Sequence, residues 1–293
     1  MNSYPDNFLS QYKIPGAVNL DTDQCFTSPG HYPHFQSQLN DFKVLLKDLV
    51  GSNEPKTFYK FGDGDYHFLK KSSVGSASPG RRALSVPYEH LQNHSEFISG
   101  VPHNDYITVE LYENNRARFL ELYPDTKIDY PAEFGYGLVS NRWLLNEFSG
   151  KIGLIGAHEK MYLIHELMKK NEYRQYLGLE GFNDFVSVPQ RYACDNLDYV
   201  EKIVSEQLSA CKDETKIFLL GIGHVKSGLL HKLKKYKNAV FLDVGSGIDA
   251  LAGIIDIERP YMGGWKNYRL SSFDYSKIDF LQYTPVAESE VWV

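Results

Sequence analysis

Between residues 35 and 50 the apolar positions Leu39, Phe42, Leu45, Leu46 and Leu49 recur at helical spacing and stop at Gly51, which predicts a helix. An aromatic run at 57–61 predicts a strand directly after it. That run breaks at Gly62 and Gly64 and resumes at Phe68 and Leu69, so strand, tight turn and helix follow one another. Residues 106–111 are strand-like, and 91–97 and 116–120 read as short helices. Residues 132–143 contain Gly135, Gly137 and the Ser140-Asn141 pair, and read as a loop leading onto a capped helix that ends near Gly150. Beyond Lys151 the alternation becomes regular. Short apolar strands at 152–156, 185–189, 217–221 and 239–243 are separated by helical patterns at 158–170, 197–211 and 227–235. Strand and helix alternating at this spacing imply right-handed crossovers, hence an α/β fold: a Rossmann-like parallel sheet with helices on both faces. Residues 1–34 lack a sustained period and read as an N-terminal arm, leaving 35–293 as a single α/β domain.

Composition narrows the partners. Hydrophobic content of 42% and charged content of 23% are those of an ordinary globular chain, and a formal charge of −6 argues against a nucleic-acid partner. No apolar run approaches the roughly 20 residues that span a bilayer, so no transmembrane segment is expected. Cys25, Cys194 and Cys211 are too few and too scattered for a disulfide framework or a cysteine zinc site, and with a polar N-terminus they predict a cytoplasmic protein. The 21 tyrosines against 3 tryptophans suit surfaces that stack on bases or sugars while donating hydrogen bonds, or a core and its rim.

Three stretches carry candidate chemistry. In Phe61-Gly62-Asp63-Gly64-Asp65 two glycines interleave two aspartates after a strand. Carboxylates converging there suit Mg²⁺ or Mn²⁺, which take one or two carboxylates and complete their shell with water and phosphate. Asp65 can equally cap the following helix. An EF-hand is excluded, because Val74 stands where its glutamate is needed. The turn Gly221-Ile222-Gly223-His224-Val225-Lys226-Ser227-Gly228 joins a strand to a helix through two early glycines, which permits close backbone approach to phosphate, with Lys226 or Ser227 as added donors. Asp243-Val244-Gly245-Ser246-Gly247-Ile248-Asp249 follows the last strand. Two further stretches add polar or aromatic groups: the small-residue loop 72–82, closing on Arg81 and Arg82, and the C-terminal stretch with Tyr261 and Trp265.

The first motif resembles the Arg-Phe-Gly-Asp-Gly-Glu signature of the GT-D glycosyltransferases, with Lys60 in place of the arginine and Asp65 in place of the glutamate. The glycine turn at 221 and the Asp-x-Gly segment at 243 resemble other parts of the same family's pocket. The resemblance implies a metal-dependent glycosyltransferase using a nucleoside diphosphate sugar, with a UDP-sugar favoured, and a glycan or glycoprotein acceptor. It implies Mn²⁺ or Mg²⁺ at Asp63 and Asp65. It places the donor against Phe61, Gly62, Asp63, Gly64, Gly221, Gly223, His224, Lys226, Ser227, Asp243 and Gly245. Glu133, His158 and Asp249 are the candidate acids or bases. Two rivals remain at this point: an S-adenosylmethionine-dependent methyltransferase using Asp243-Val244-Gly245-Ser246-Gly247, and a non-catalytic nucleotide- or carbohydrate-binding module.

Overall fold

A computed structural model describes residues 35–72, 87–110, 114–189 and 193–253. Its seven strands are β1 (Lys56–Phe61), β2 (Tyr106–Val109), β3 (Tyr130–Pro131), β4 (Ile152–Ala157), β5 (Asp184–Val188), β6 (Ile217–Gly221) and β7 (Val240–Asp243). They form one parallel sheet in the order β3-β2-β1-β7-β6-β4-β5. The described helices are α1 (Phe35–Ser52), α2 (Asp63–Leu69), α3 (His94–Gly100), α4 (Asn115–Leu122), α5 (Glu133–Ser140), α6 (Trp143–Glu147), α7 (His158–Met168), α8 (Asn171–Leu177), α9 (Leu197–Ala210), α10 (Lys226–Leu229) and α11 (Gly247–Leu251).

Strand order and handedness fix the layers. Right-handed crossovers put leftward and rightward moves across the sheet on opposite faces. The connections β1 to β2, β2 to β3, β5 to β6 and β6 to β7 run one way, and β3 to β4 and β4 to β5 the other. The two cores divide accordingly. Phe68, Phe97, Phe119, Leu197, Val200 and Leu229, from α2, α3, α4, α9 and α10, share one core. Phe42, Leu46, Phe134, Leu144, Met161, Leu177 and Ile248, from α1, α5, α6, α7, α8 and α11, share the other.

Strands buried on both faces must be apolar throughout, and β4 and β6 are buried at every position. Within them small and large residues interlock: a Cβ on Gly153 would lie 2.3 Å from Cε1 of Phe218, so this glycine makes room for the neighbouring ring. Phe218 in turn stacks on Phe241 of β7 at 5.4 Å, and Phe58 stacks on Tyr106 at 4.4 Å.

The loop expected at 132–143 is instead largely helical, as α5 and the start of α6. Gly135 is what allows it: a Cβ there would stand 3.3 Å from the Asp243 carbonyl oxygen, so the glycine lets α5 pack closely on the end of β7. The two-residue β3, together with α8 and α11, is too short to leave a period in the sequence. The single helix expected at 227–235 is the short α10 followed by a tighter turn at Leu230–Lys235. The arm at 1–34, the loop 73–82 with Arg81 and Arg82, and the stretch with Tyr261 and Trp265 lie outside the described residues. Among the described residues no helix is long and apolar enough to cross a membrane.

Candidate functional site

At the carboxyl ends of the strands, β7 sends its chain to one face while its neighbours β1 and β6 send theirs to the other. Such a reversal opens a crevice in doubly wound sheets, and ligands bind there. Side chains from all three strand ends meet at this reversal.

Alternation along β1 sets the first of them. Tyr59 and Phe61 point into the α2 layer, while Lys60 emerges on the opposite face, with its Nζ 5.9 Å from the ring centre of Tyr136 on α5. There Nζ pairs with Glu110 Oε1 at 2.6 Å, just past β2. Gly62 lies against this pair, since a Cβ on it would come within 2.7 Å of Glu110 Oε2. Burial works against the charge on Lys60, but Glu110, Asp65 and Asp243 outweigh it and hold the ammonium above the usual lysine range.

Asp65, in the first turn of α2, is buried. Its Oδ2 accepts the Gly62 N–H at 2.9 Å, the helix-capping role open to it from sequence. The same oxygen lies 3.2 Å from Lys226 Nζ, and Oδ1 accepts from the Tyr59 hydroxyl at 3.4 Å, with His224 Nδ1 at 3.7 Å. Burial opposes ionisation of Asp65, yet Lys226, His224 and Lys60 together keep its carboxyl well below the ordinary carboxylate range.

Lys226 is the hub. Its Nζ is 2.8 Å from Asp243 Oδ2, donates to the Lys60 carbonyl, and sits 4.8 Å from the ring centre of Tyr59. Asp243 at the end of β7 also accepts from the Lys60 N–H at 3.3 Å through Oδ2 and from the Gly245 N–H at 2.9 Å through Oδ1. Tyr59 completes the buried net through Ser227 Oγ at 2.8 Å, and burial, then Asp65, push its phenol well above the usual value. Two ammonium groups thus face three carboxylates in a space with little water.

The structure brings together Gly62, Asp65, His224, Lys226, Ser227, Asp243 and Gly245 from the sequence-derived set. Gly221 closes the same floor, for a Cβ there would lie 2.8 Å from the Gly245 carbonyl oxygen. Gly223, at φ +61, has nothing within 4 Å of a would-be Cβ and borders open space. Gly64 is half-buried in the first turn of α2. Phe61 is a correction: it is fully buried, edge-on to Phe119 at 5.1 Å, and packs the core instead of facing a ligand. The three candidate acid or base residues lie in the other layer. Glu133 is buried at the start of α5, His158 is exposed at the start of α7, and Asp249 on α11 pairs with Lys160 at 2.6 Å.

Mn²⁺ or Mg²⁺ is expected at Asp63 and Asp65, and the two aspartates have different surroundings. Asp63 is exposed, while the oxygens of Asp65 are engaged by a backbone N–H, a phenol, the Lys226 ammonium and the His224 ring. Among the described residues no group of three or more His, Cys, Asp or Glu is placed to hold a metal ion. Lys60, Glu110 and Tyr59 were missed as site residues. A lysine inside an otherwise apolar central strand was the available signal for Lys60, since such a charge needs a buried partner. Nothing local marks Glu110. Comparison with protein-family models, with curated proteins and with solved structures finds no match to this chain.

Proposed function

We propose that the chain is a glycosyltransferase that takes a sugar from a nucleoside diphosphate sugar, with a UDP-sugar favoured, and passes it to a glycan or glycoprotein acceptor. The observation that carries this reading is the meeting of Lys60, Asp65, Lys226 and Asp243 where the sheet reverses. In the transfer, the bond from the sugar's anomeric carbon to the diphosphate breaks as the acceptor oxygen bonds to that carbon, and charge builds on the departing phosphate oxygen. Lys226 and Lys60 supply fixed positive charge to that oxygen from a site with little water. Each must exchange a carboxylate for phosphate, which makes donor affinity sensitive to salt. The displaced carboxylates are free to accept hydrogen bonds from sugar hydroxyls. The acceptor proton falls to His158, the exposed member of the three candidate bases, since Asp249 already answers Lys160.

The test is thermal unfolding with UDP, GDP and S-adenosylmethionine, followed by chromatography of UDP released from a panel of UDP-sugars. UDP is expected to raise Tm in the parent and not in Lys226→Ala. Stabilisation by S-adenosylmethionine alone would transfer the function to a methyltransferase centred on Asp243 and Gly245. A protein indifferent to all three ligands removes the proposal.

A further inference from the structure

Asp65, one of the two residues expected to hold a divalent ion, holds a lysine together with Asp243. Around Lys226 Nζ stand Asp65 Oδ2 at 3.2 Å, Asp243 Oδ2 at 2.8 Å and the Lys60 carbonyl oxygen, with the Tyr59 ring face 4.8 Å away. Two carboxylates and a carbonyl are the hard oxygen donors that Mg²⁺, Mn²⁺ or Ca²⁺ would choose. All three donor residues belong to rigid elements, two at strand ends and one in the first turn of α2. Lys226 is buried, and its stem is fixed because α10 is wedged against α3. A divalent ion could enter only by displacing a buried ammonium that two carboxylates hold in place.

We propose that Lys226 is the resident cation of this site, a tethered ammonium occupying the position of a divalent ion, and that Asp65 and Asp243 are its ligands and not a metal's. The proposal deepens the glycosyltransferase reading, in which this ammonium faces the departing diphosphate. The arrangement itself is testable without any donor. Replacing the ammonium with a neutral side chain takes from Asp65 and Asp243 the cation they share and vacates an oxygen cage, so removing the lysine should create a metal site that the parent lacks.

The experiment titrates Mn²⁺ alone, followed by its electron paramagnetic resonance and by thermal unfolding, into the full chain, Asp65→Asn, Lys226→Ala, Lys226→Gln and the double variant Lys226→Ala/Asp65→Asn. The parent is expected to leave the free Mn²⁺ signal unchanged and to unfold at the same temperature with Mn²⁺ as with chelator. Lys226→Ala is expected to bind Mn²⁺ and to recover much of its lost Tm on doing so, and the double variant to lose that response. If Lys226→Ala is unfolded in chelator, folding on addition of Mn²⁺ gives the same support, and Lys226→Gln, which keeps the side-chain bulk, provides the folded comparison. Mn²⁺ binding by the parent that disappears in Asp65→Asn overturns the proposal. So does a folded Lys226→Gln that ignores Mn²⁺. Both results are independent of UDP, so failure of the glycosyltransferase reading would show separately, as absence of nucleotide binding in a parent that also ignores Mn²⁺.

Discussion

Asp65 is where the reading of a residue changes most between sequence and structure. As part of a glycine turn it reads as a metal ligand or a helix cap, and in the structure it is a buried carboxylate bonded to Lys226 and Gly62. Stranding a buried charge costs about 3 to 5 kcal/mol, and because Asp243 still holds Lys226 when Asp65 is neutralised, the low end of that range applies. Asp65→Asn should therefore lower stability by roughly that amount in urea unfolding at pH 7. Since the folded protein holds the Asp65 carboxyl below its unfolded value, the ionised form is favoured by folding. Its contribution is complete above about pH 4 and drains away as pH falls from there towards the lower folded value. The urea midpoint of the parent should fall across that acid window more steeply than that of Asp65→Asn. Two glycines nearby separate conformational strain from crowding. Gly223→Ala meets open space and should cost only the left-handed penalty of about 1 kcal/mol. Gly245→Ala, at φ +49, also presses on Lys60 Cδ at 3.0 Å and should cost more in the same assay.

Among elements, the crossing of α3 and α10 has most influence on the site. Gly100 and Gly228 face each other's helices so closely that a Cβ on Gly100 would lie 2.2 Å from the Ser227 carbonyl oxygen, while one on Gly228 would strike Leu197 and Phe97. Gly100→Ala must push α10, and with it Lys226, although Gly100 itself supplies no group to the site. Overpacking of this kind costs about 1 to 3 kcal/mol, and nucleotide-induced stabilisation should weaken alongside the loss in Tm. His231, in the turn after α10, rests against the same contact. Burial, then Lys232, His103 and Lys235, lower it to about 4, so folding disfavours its protonation. Its contribution is complete above the unfolded value near 6.5 and is lost as pH falls from there to about 4. With the group only half-buried, a slope worth on the order of 1 to 2 kcal/mol is expected between pH 7 and 4.5, and His231→Gln should flatten it.

For the whole molecule, the alternation of apolar strands and amphipathic helices in the second half of the chain was legible, because fully buried strands are continuous apolar runs. The strand at 217–221 has the boundaries its sequence suggests. The meeting of the strand ends after Phe61, Gly221 and Asp243 followed from the crossover rule. The strand order itself was not legible, because nothing local tells β1 that its neighbour is β7, nor Lys60 that it will find Glu110. The buried state of Asp65 was likewise hidden: a turn aspartate and an ion-paired one share the same sequence.

The position of β7 also bears on how the molecule comes into being. Residues 56–58 pair with 240–242, and 217–220 pair with 240–243, so the last strand described is the joint between two half-sheets made earlier in the chain. Loops of that span close slowly, since their entropy must be surrendered before any contact repays it. In folding, β1-β2-β3 and β4-β5-β6 can each form before β7 docks between them. Asp65 follows β1 in the first half and Lys226 follows β6 in the second, so arrival of β7 with Asp243 brings the two together and completes the site and the sheet in one step. Pulsed hydrogen exchange during refolding should find the amides of β7 and of Lys60 protected together, and last.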